Sequence, residues 1–327
     1  MSAWVEEGTK FGMTELSIKQ ANTTAFKTFS NSHEELGNVL KIVSVGLSLT
    51  IEEIQSGTPA KSLWSRVGAL SEDWGTVPIF TREIAETAYA EVANLGLARS
   101  FSAFDRYLAD IGGELDSFDH YHSSGSVALK SITDDDSVGL DNPGMALERF
   151  CERQSFSRSN VEFAAPVFDY YRAARNCIIH RSGVASRELE TKVVSASLSE
   201  SLANWEELTD EHGPLKLKSF EEGETIKLDY FDAILCSSIL RRLALDIDAQ
   251  AVRRIGIEGL TLLAAKRCMK RWQISTTNLE HSTAPKAIAS YLSRVNRVVG
   301  VGWKTVEPQL NRLGILKECN RVFEAKN

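Results

Sequence analysis

The sequence predicts a mainly α-helical protein, on three observations. Apolar residues recur at intervals of three and four over several long segments, which is the spacing of one face of a helix. Proline is scarce, since seven in 327 residues are about 2%, against an average usage of roughly 5%. The charged content of 25% and the mean hydropathy of -0.17 are those of an ordinary globular chain. At about 150 residues per domain, the length predicts about two domains.

An N-terminal helical region is predicted over residues 1–77. Its first helix begins at Ser32, because Ser32 at the N-cap and Glu35 three residues later form a capping box. Gly57 ends that helix. A second helix begins at Thr58, which is followed by Pro59 at the first helical position. The apolar positions of the two helices are Leu36, Val39, Leu40, Val43, Leu47, Ile51, Leu63, Trp64, Val67 and Leu70.

The second predicted region covers residues 78–250 and opens with a long helix from Ile79 to about Leu108. Residues 111–143 then interrupt the helical pattern. They contain paired glycines, a run of three aspartates and an Asn-Pro-Gly sequence, all of which favour turns, so we expect a long loop there. A short amphipathic helix follows from Met145 to Arg153.

Three further elements complete this region. One helix runs from Phe163 to Ser182, with Pro166 in its first turn and Gly183 as its C-terminal cap. Residues 214–220 and 225–228 alternate apolar and polar side chains around a short acidic turn, which predicts a small β-hairpin. A last long helix runs from about Tyr230 to Ala251.

Residues 251–327 differ from the rest of the chain in charge. They contain 14 Lys and Arg against five Asp and Glu, although the whole chain has a net charge of -7. The acidic total argues against a simple nucleic-acid binder, yet it hides this basic C-terminal helical module. We expect its surface either to follow a phosphate backbone or to dock on an acidic partner. Leu292 and Val306 lie too far apart for a standard helix-turn-helix.

Cysteine usage and hydropathy indicate the compartment. The five cysteines are far apart, odd in number and never in a Cys-x-x-Cys pair, which argues against a disulfide framework and a zinc finger. No run approaches the roughly 20 apolar residues of a membrane span, and the N-terminus has no signal-peptide pattern. We therefore expect a cytoplasmic protein without membrane contact. His120 and His122 lack a third ligand at a suitable spacing, so we expect no metal and no cofactor.

The stretch that carries the clearest chemistry runs from Arg175 to His180, with the sequence Arg-Asn-Cys-Ile-Ile-His. Asn176 and His180, four residues apart, share a helix face, while Arg175 and His180 lie about 140° apart around the axis. A pocket at the end of the helix can still receive all three side chains, since the last turn lets His180 point outward. Arginine grips phosphate and histidine exchanges protons near pH 7, and metal-free phosphodiester chemistry needs both.

This motif resembles the signature of the HEPN superfamily, which is an Arg, a polar residue that is often Asn, and a His near the end of the third helix. The helix order over roughly residues 79–250 is similar to the four-helix bundle of that family, with the 111–143 loop and the hairpin as insertions. The resemblance implies a metal-independent endoribonuclease, in which the 2'-OH of RNA attacks the adjacent phosphorus and leaves a 2',3'-cyclic phosphate. It also implies a homodimer with a composite active site.

The resemblance further implies roles for individual residues. His180 acts as general base or acid, Arg175 holds the scissile phosphate, and Asn176 orients His180 or a phosphate oxygen. Arg172 and Arg181 flank the motif and either extend the phosphate-binding surface or are simply exposed. The resemblance also implies a biological role as a toxin or effector of stress or phage defence, which needs an antitoxin or a sensor protein as a partner.

Two other functions remain open at this point. The chain can be a non-catalytic HEPN-like module that binds RNA or a protein partner, in which case replacing His180 leaves binding intact. It can also be a regulatory protein that binds DNA through its basic C-terminal helices. In that case deleting residues 251–327 abolishes function, whereas changes in the motif do not.

Overall fold

The computed structural model describes residues 17–56, 81–124, 147–159, 162–203, 217–274 and 281–326. Within these ranges the chain is mainly helical, which confirms the predicted fold class at that level, and β-type pairing is limited to two isolated bridges. The α-helices are α1 (Thr24–Gln55), α2 (Arg82–Ser124), α3 (Leu147–Gln154), α4 (Ala165–His180), α5 (Arg187–Val193), α6 (Ala196–Ala203), α7 (Tyr230–Ile274), α8 (Ala284–Arg294), α9 (Trp303–Arg312) and α10 (Leu316–Glu324).

The chain groups into two compact units. The first unit comprises Met1–Ser30, Asp105–Ser157 and Ala244–Asn327, and the second unit comprises Asn31–Phe104 and Arg158–Leu243. Each unit is therefore built from segments that are distant in sequence, and the chain passes from one unit to the other within α1, α2 and α7. The division into residues 1–77, 78–250 and 251–327 stays a prediction.

Helix α1 begins at Thr24, so the predicted start at Ser32 is wrong. The true start is capped by Thr23, whose Oγ1 accepts a hydrogen bond from Phe26 N at 3.1 Å. Thr23 in turn donates from its N and its Oγ1 to Asp248 Oδ1, at 3.2 and 2.5 Å. Asp248 lies on α7, 225 residues away in sequence. A capping partner at that distance leaves no local signal, whereas the capping-box pattern at Ser32 lies inside the helix.

A second carboxylate, Glu114 of α2, also meets the start of α1. Its Oε1 accepts hydrogen bonds from Ala25 N at 3.1 Å and from Arg267 Nη2 at 3.2 Å. Its Oε2 is buried and has no hydrogen-bond partner in the described part of the chain. Burial raises the pKa of Glu114 to about 7, against the opposing charge of Arg267. Burial likewise raises the pKa of Asp248 to about 7, and the charge of Glu114 adds to that effect.

Helix α2 continues to Ser124, so the predicted loop is wrong over residues 111–124. Ile111 and Leu115 are fully buried, and a Cβ on Gly112 would lie 3.6 Å from the ring of Phe150. That distance is an ordinary van der Waals contact, so Gly112 sits within a helix held by its buried neighbours and is not a helix breaker. The rest of the predicted loop, residues 125–143, lies outside the described residues, as does the predicted helix that begins at Thr58.

The predicted β-hairpin does not form in the described residues 217–228. Thr225 makes an isolated antiparallel bridge with Val184, and Ile226 N donates to Gly183 O at 2.8 Å. The alternating pattern correctly marks a segment with a buried side, because three of its four described apolar positions lie in the core. The partner of the segment, however, is the chain that follows α4. Residues 214–216 lie outside the described residues. The buried apolar positions are Phe220, Ile226 and Leu228.

Helix α7 extends well past its predicted end at Ala251 and reaches Ile274. A kink divides it at Gly256, whose φ of 57° and ψ of -165° are far from helical values and strained for any residue with a Cβ. Helices α8, α9 and α10 follow it and complete the helical C-terminal segment. All five cysteines are buried free thiols, as their scattered positions predict.

Candidate active site

Helix α4 carries the Arg-Asn-Cys-Ile-Ile-His motif within the second unit. A short 3-10 turn over Glu162–Ala164 leads into it, and Pro166 occupies its first turn, where the missing N–H costs no hydrogen bond. One face of the helix is buried, and Phe168 packs against Phe101 and Phe104 of α2, with ring centroids 5.6 and 6.2 Å apart. The predicted helix over residues 163–182 is thus confirmed, with ends that differ by two residues at each side.

The C-terminal end of α4 is fixed by backbone hydrogen bonds. Arg181 N and Gly183 N both donate to Cys177 O, at 3.0 and 3.1 Å, and Gly183 has a φ of 77°. The chain beyond is held by residues 223–226, because Ala185 N donates to Glu224 O at 2.8 Å and Gly223 N donates to Ala185 O at 3.0 Å. The last helical residue, His180, therefore has a well-defined position.

The three predicted catalytic residues lie along the final turns of α4. Arg175 and Asn176 are half-buried, and Arg175 Nη1 donates to Asn176 Oδ1 at 3.1 Å. His180 is exposed, and within the described residues it has no hydrogen-bond partner. Asn176 thus meets Arg175 directly, and no hydrogen bond joins it to His180. This arrangement offers a preoriented guanidinium next to a solvent-accessible imidazole, which is suited to binding an anion and moving a proton beside it.

The two predicted substrate-binding arginines differ in their surroundings. Arg172 Nη2 lies 2.9 Å from Asp169 Oδ1, and its guanidinium stacks 5.8 Å from the ring centroid of Phe168. Asp169 also accepts a hydrogen bond from Lys192 Nζ at 3.1 Å. Arg172 is therefore engaged within the protein, whereas Arg181 is exposed directly after His180. The substrate-binding role of both residues stays a prediction.

Sequence reasoning missed a buried polar cluster that ties α4 to the start of α7. Tyr171 OH donates to Asp232 Oδ1 at 3.3 Å, and Asp232 is 2% exposed. Lys218 Nζ lies 3.6 Å from Asp232 Oδ2, and Lys218 O accepts a hydrogen bond from Tyr170 OH at 2.8 Å. Burial raises the pKa of Asp232 and raises that of Tyr171 well above its ordinary value. The adjacent tyrosines in the motif helix could have indicated this cluster, because buried hydroxyl groups need hydrogen-bond partners.

His120 and His122, which were considered as metal ligands, take structural positions in the first unit. His122 packs edge-on against Phe118, with ring centroids 4.4 Å apart, and Tyr121 OH donates to Leu313 O at 3.1 Å. In the described ranges, no group of three or more His, Cys, Asp or Glu side chains is placed to hold a metal ion. His120 and His122 therefore lie in a helix that packs on the C-terminal segment of the chain.

Several cations of the basic C-terminal module are matched by carboxylates. Arg254 Nη2 lies 2.5 Å from Asp119 Oδ2, and Arg267 Nη2 lies 3.2 Å from Glu114 Oε1. Trp272 is buried, with its ring centroid 5.0 Å from that of Phe323. This tryptophan is thus part of the core and does not offer a stacking surface to a base. Neighbouring acidic side chains therefore neutralise part of the positive charge of the module.

No family model matches this chain, and no curated protein or solved structure matches it significantly. None of the helices in the described ranges is both long and apolar enough to span a membrane.

Proposed function

We propose that this protein is a metal-independent endoribonuclease whose active site centres on Arg175, Asn176 and His180. The observation that supports the proposal best is the half-buried pair of Arg175 and Asn176, joined at 3.1 Å, one turn before an exposed histidine at a fixed helix end. We further propose that α2, α3, α4 and α7 correspond in order to the four helices of a HEPN-like bundle. Both steps rest on the resemblance of the motif to that superfamily.

The proposed reaction needs no metal. The 2'-oxygen of one ribose attacks the adjacent phosphorus while its proton passes to a base. The bond from phosphorus to the 5'-oxygen breaks, and that oxygen takes up a proton from an acid. The products are a 2',3'-cyclic phosphate and a 5'-OH. Arg175 binds the non-bridging oxygens, whose charge grows in the transition state, and Asn176 holds the guanidinium in place. His180 carries the proton, a role that contributes roughly 10² to 10⁴ in rate.

One protomer supplies a single histidine in this motif, whereas the reaction uses both a base and an acid. A two-fold homodimer that brings two α4 ends together satisfies this need, and the exposure of His180 leaves it accessible to a second copy. In this proposal the protein acts in the cytoplasm as a toxin or effector of a stress or phage-defence system. An antitoxin or sensor protein then restrains it, because unregulated RNA cleavage harms the host.

The test is cleavage of total RNA by the purified chain in the presence of EDTA, with the new ends mapped. We expect 2',3'-cyclic phosphate ends from wild type and a loss of at least about 100-fold in rate for His180→Ala and Arg175→Ala. His281→Ala is the matched control, because His281 lies outside the motif and should not affect cleavage. Arg175→Lys, which keeps the charge, covers the case in which Arg175→Ala fails to fold.

Two results would reject the proposal. Cleavage that stops in EDTA would contradict metal-independent chemistry, and undiminished cleavage by His180→Ala would remove the catalytic role of the motif. If wild type binds RNA without cleaving it, and His180→Ala binds equally well, the non-catalytic HEPN-like module is correct. Circular dichroism of each variant shows whether the helical fold is retained.

A further inference from the structure

A cavity of about 480 Å³ opens in the first unit, at the junction of α3 and α7. The end of α3 contributes Arg153 and Gln154, the following loop contributes Ser155 and Phe156, and one face of α7 contributes three side chains. Those of α7 are Gln250, Arg253 and Arg254. The volume lies within the range of about 300 to 1,000 Å³ that small-molecule sites occupy. The motif helix α4 belongs to the second unit, and none of the residues of the proposed active site lines this cavity.

The cavity lining is strongly biased in charge. Three arginines line it, and no acidic side chain does. Arg153 and Arg254 form ion pairs with Asp116 and Asp119, at 2.7 and 2.5 Å, and neither aspartate lines the cavity. The guanidinium of Arg153 has five N–H groups, so its ion pair with Asp116 leaves donors for a ligand. Partly exposed ion pairs of this kind contribute little to stability, and a phosphate group can therefore compete with or add to them.

The loop at the mouth of the cavity is held in place by specific hydrogen bonds. Ser155 has a φ of 56°, a left-handed conformation that is uncommon for a residue other than glycine. Phe156 N donates to Cys151 O at 2.8 Å and closes the end of α3. The amide of Gln250 holds Ser157 on both sides, because its Nε2 donates to Ser157 O at 2.7 Å and its Oε1 accepts from Ser157 N at 2.8 Å. The lining groups are thus held in place before any ligand arrives.

One aromatic ring completes the lining. Phe156 is half-buried, and its ring meets that of Phe150 edge-on, with centroids 6.2 Å apart and planes at 70°. An aromatic side chain beside three arginines provides the two contacts that nucleotides use, a surface for the base and cations for the phosphate. A purely anionic ligand would need only the arginines.

We propose that this cavity binds a nucleotide, with its phosphate on Arg153 and Arg253 and its base against Phe156. Gln250 holds the loop that carries Phe156 through Ser157, and Arg254 Nη1 holds the end of α3 by donating to Gln154 O and Oε1, so both act as positioning residues. The occupant is a free nucleotide, since the cavity is of small-molecule size and its lining is confined to one helix end and one helix face. The site goes beyond the proposed ribonuclease activity and does not depend on it.

The test is calorimetric titration of the full purified chain with AMP, ATP and inorganic phosphate at low salt. We expect AMP and ATP to bind, and inorganic phosphate to bind at least about tenfold more weakly, because it lacks the base. Arg253→Ala should weaken AMP binding about tenfold. Arg271→Ala is the matched control, since Arg271 is also exposed on α7 but does not line the cavity.

Arg253 is exposed and its Nε donates to Ala249 O of the same helix at 3.1 Å, so we expect the alanine variant to fold, which circular dichroism checks. Arg253→Lys, which keeps the charge and loses the forked geometry, should bind AMP with intermediate affinity. The proposal fails if no heat of binding is seen at about 5 mM nucleotide, or if Arg271→Ala weakens binding as much as Arg253→Ala. It also fails if phosphate alone binds as tightly as AMP, or if only RNA binds.

Discussion

The protein should lose stability between pH 5 and pH 8, and replacing Glu114 by glutamine should make that loss smaller by about 2 to 3 kcal/mol. Glu114 is 5% exposed, and burial raises its pKa from 4.5 to about 7. Because the folded-state pKa lies above the unfolded value, folding favours the protonated form. The stabilisation is therefore fully present below about pH 4.5 and is lost as the pH rises through about 7.

The magnitude follows from the size of the shift. One pKa unit corresponds to about 1.4 kcal/mol, so the shift from 4.5 to about 7 corresponds to a loss of about 3 kcal/mol of stability once the pH is above 7. Most of that loss occurs above pH 5. Arg267 offsets part of the cost of ionisation through its 3.2 Å contact with Oε1, and that contribution is already contained in the pKa. Asp248, with its pKa also raised to about 7, contributes in the same direction. Glutamine at position 114 keeps the burial that raises the pKa of Asp248 and removes only the smaller effect of the charge of Glu114.

The assay is urea unfolding of wild type and Glu114→Gln at several pH values from 5 to 8, followed by circular dichroism. We expect wild type to lose stability with rising pH, and the variant to lose less by about 2 to 3 kcal/mol. Glu91→Gln serves as the control, because Glu91 is an exposed residue of the same helix. Equal slopes for wild type and Glu114→Gln would refute the reasoning, as would a wild type that becomes more stable over this range.

Two further predictions concern the backbone and the core. Gly256→Ala should lower the free energy of unfolding by about 1 to 3 kcal/mol, because alanine is strained at a φ of 57°. Gly37→Ala should raise it by about 0.5 to 1 kcal/mol, because that helical glycine has open space around it. Urea titration of both variants checks the pair, and shifts of the same sign would contradict it. Trp272→Ala should cost about 3 to 5 kcal/mol by removing a buried ring from Phe323. Unchanged stability with weakened RNA binding would instead indicate a stacking surface.

The parts of the structure that sequence predicts well are those whose causes are local. Helix α4 follows from Pro166 at its start and Gly183 at its end, and both signals lie within a few residues of the helix ends that they fix. The order of Arg175, Asn176 and His180 along α4 is likewise a local property. The side-chain hydrogen bond between Arg175 and Asn176 depends on rotamers, and sequence spacing does not determine it.

The parts that sequence misses depend on residues far apart in the chain. The start of α1 depends on Asp248 and Glu114, which lie on two other helices. Gly112 resembles a helix breaker in sequence, but the burial of Ile111 and Leu115 beside it keeps α2 helical there. The bridge between Val184 and Thr225 also joins residues far apart in the chain, so the sequence pattern did not predict it. In each case a tertiary contact outweighs the local preference.

The discontinuous make-up of the first unit has a consequence for synthesis on the ribosome. This unit draws on both Met1–Ser30 and Ala244–Asn327, and Thr23 of the first segment donates a hydrogen bond to Asp248 of the last. The start of α1 therefore emerges long before the carboxylate that binds its capping residue Thr23, and the unit completes only after the C-terminal segment has been made. A chain truncated after residue 250 keeps Asp248 but lacks Arg267 and the rest of the unit. Such a truncation tests the integrity of the fold and cannot isolate a DNA-binding role.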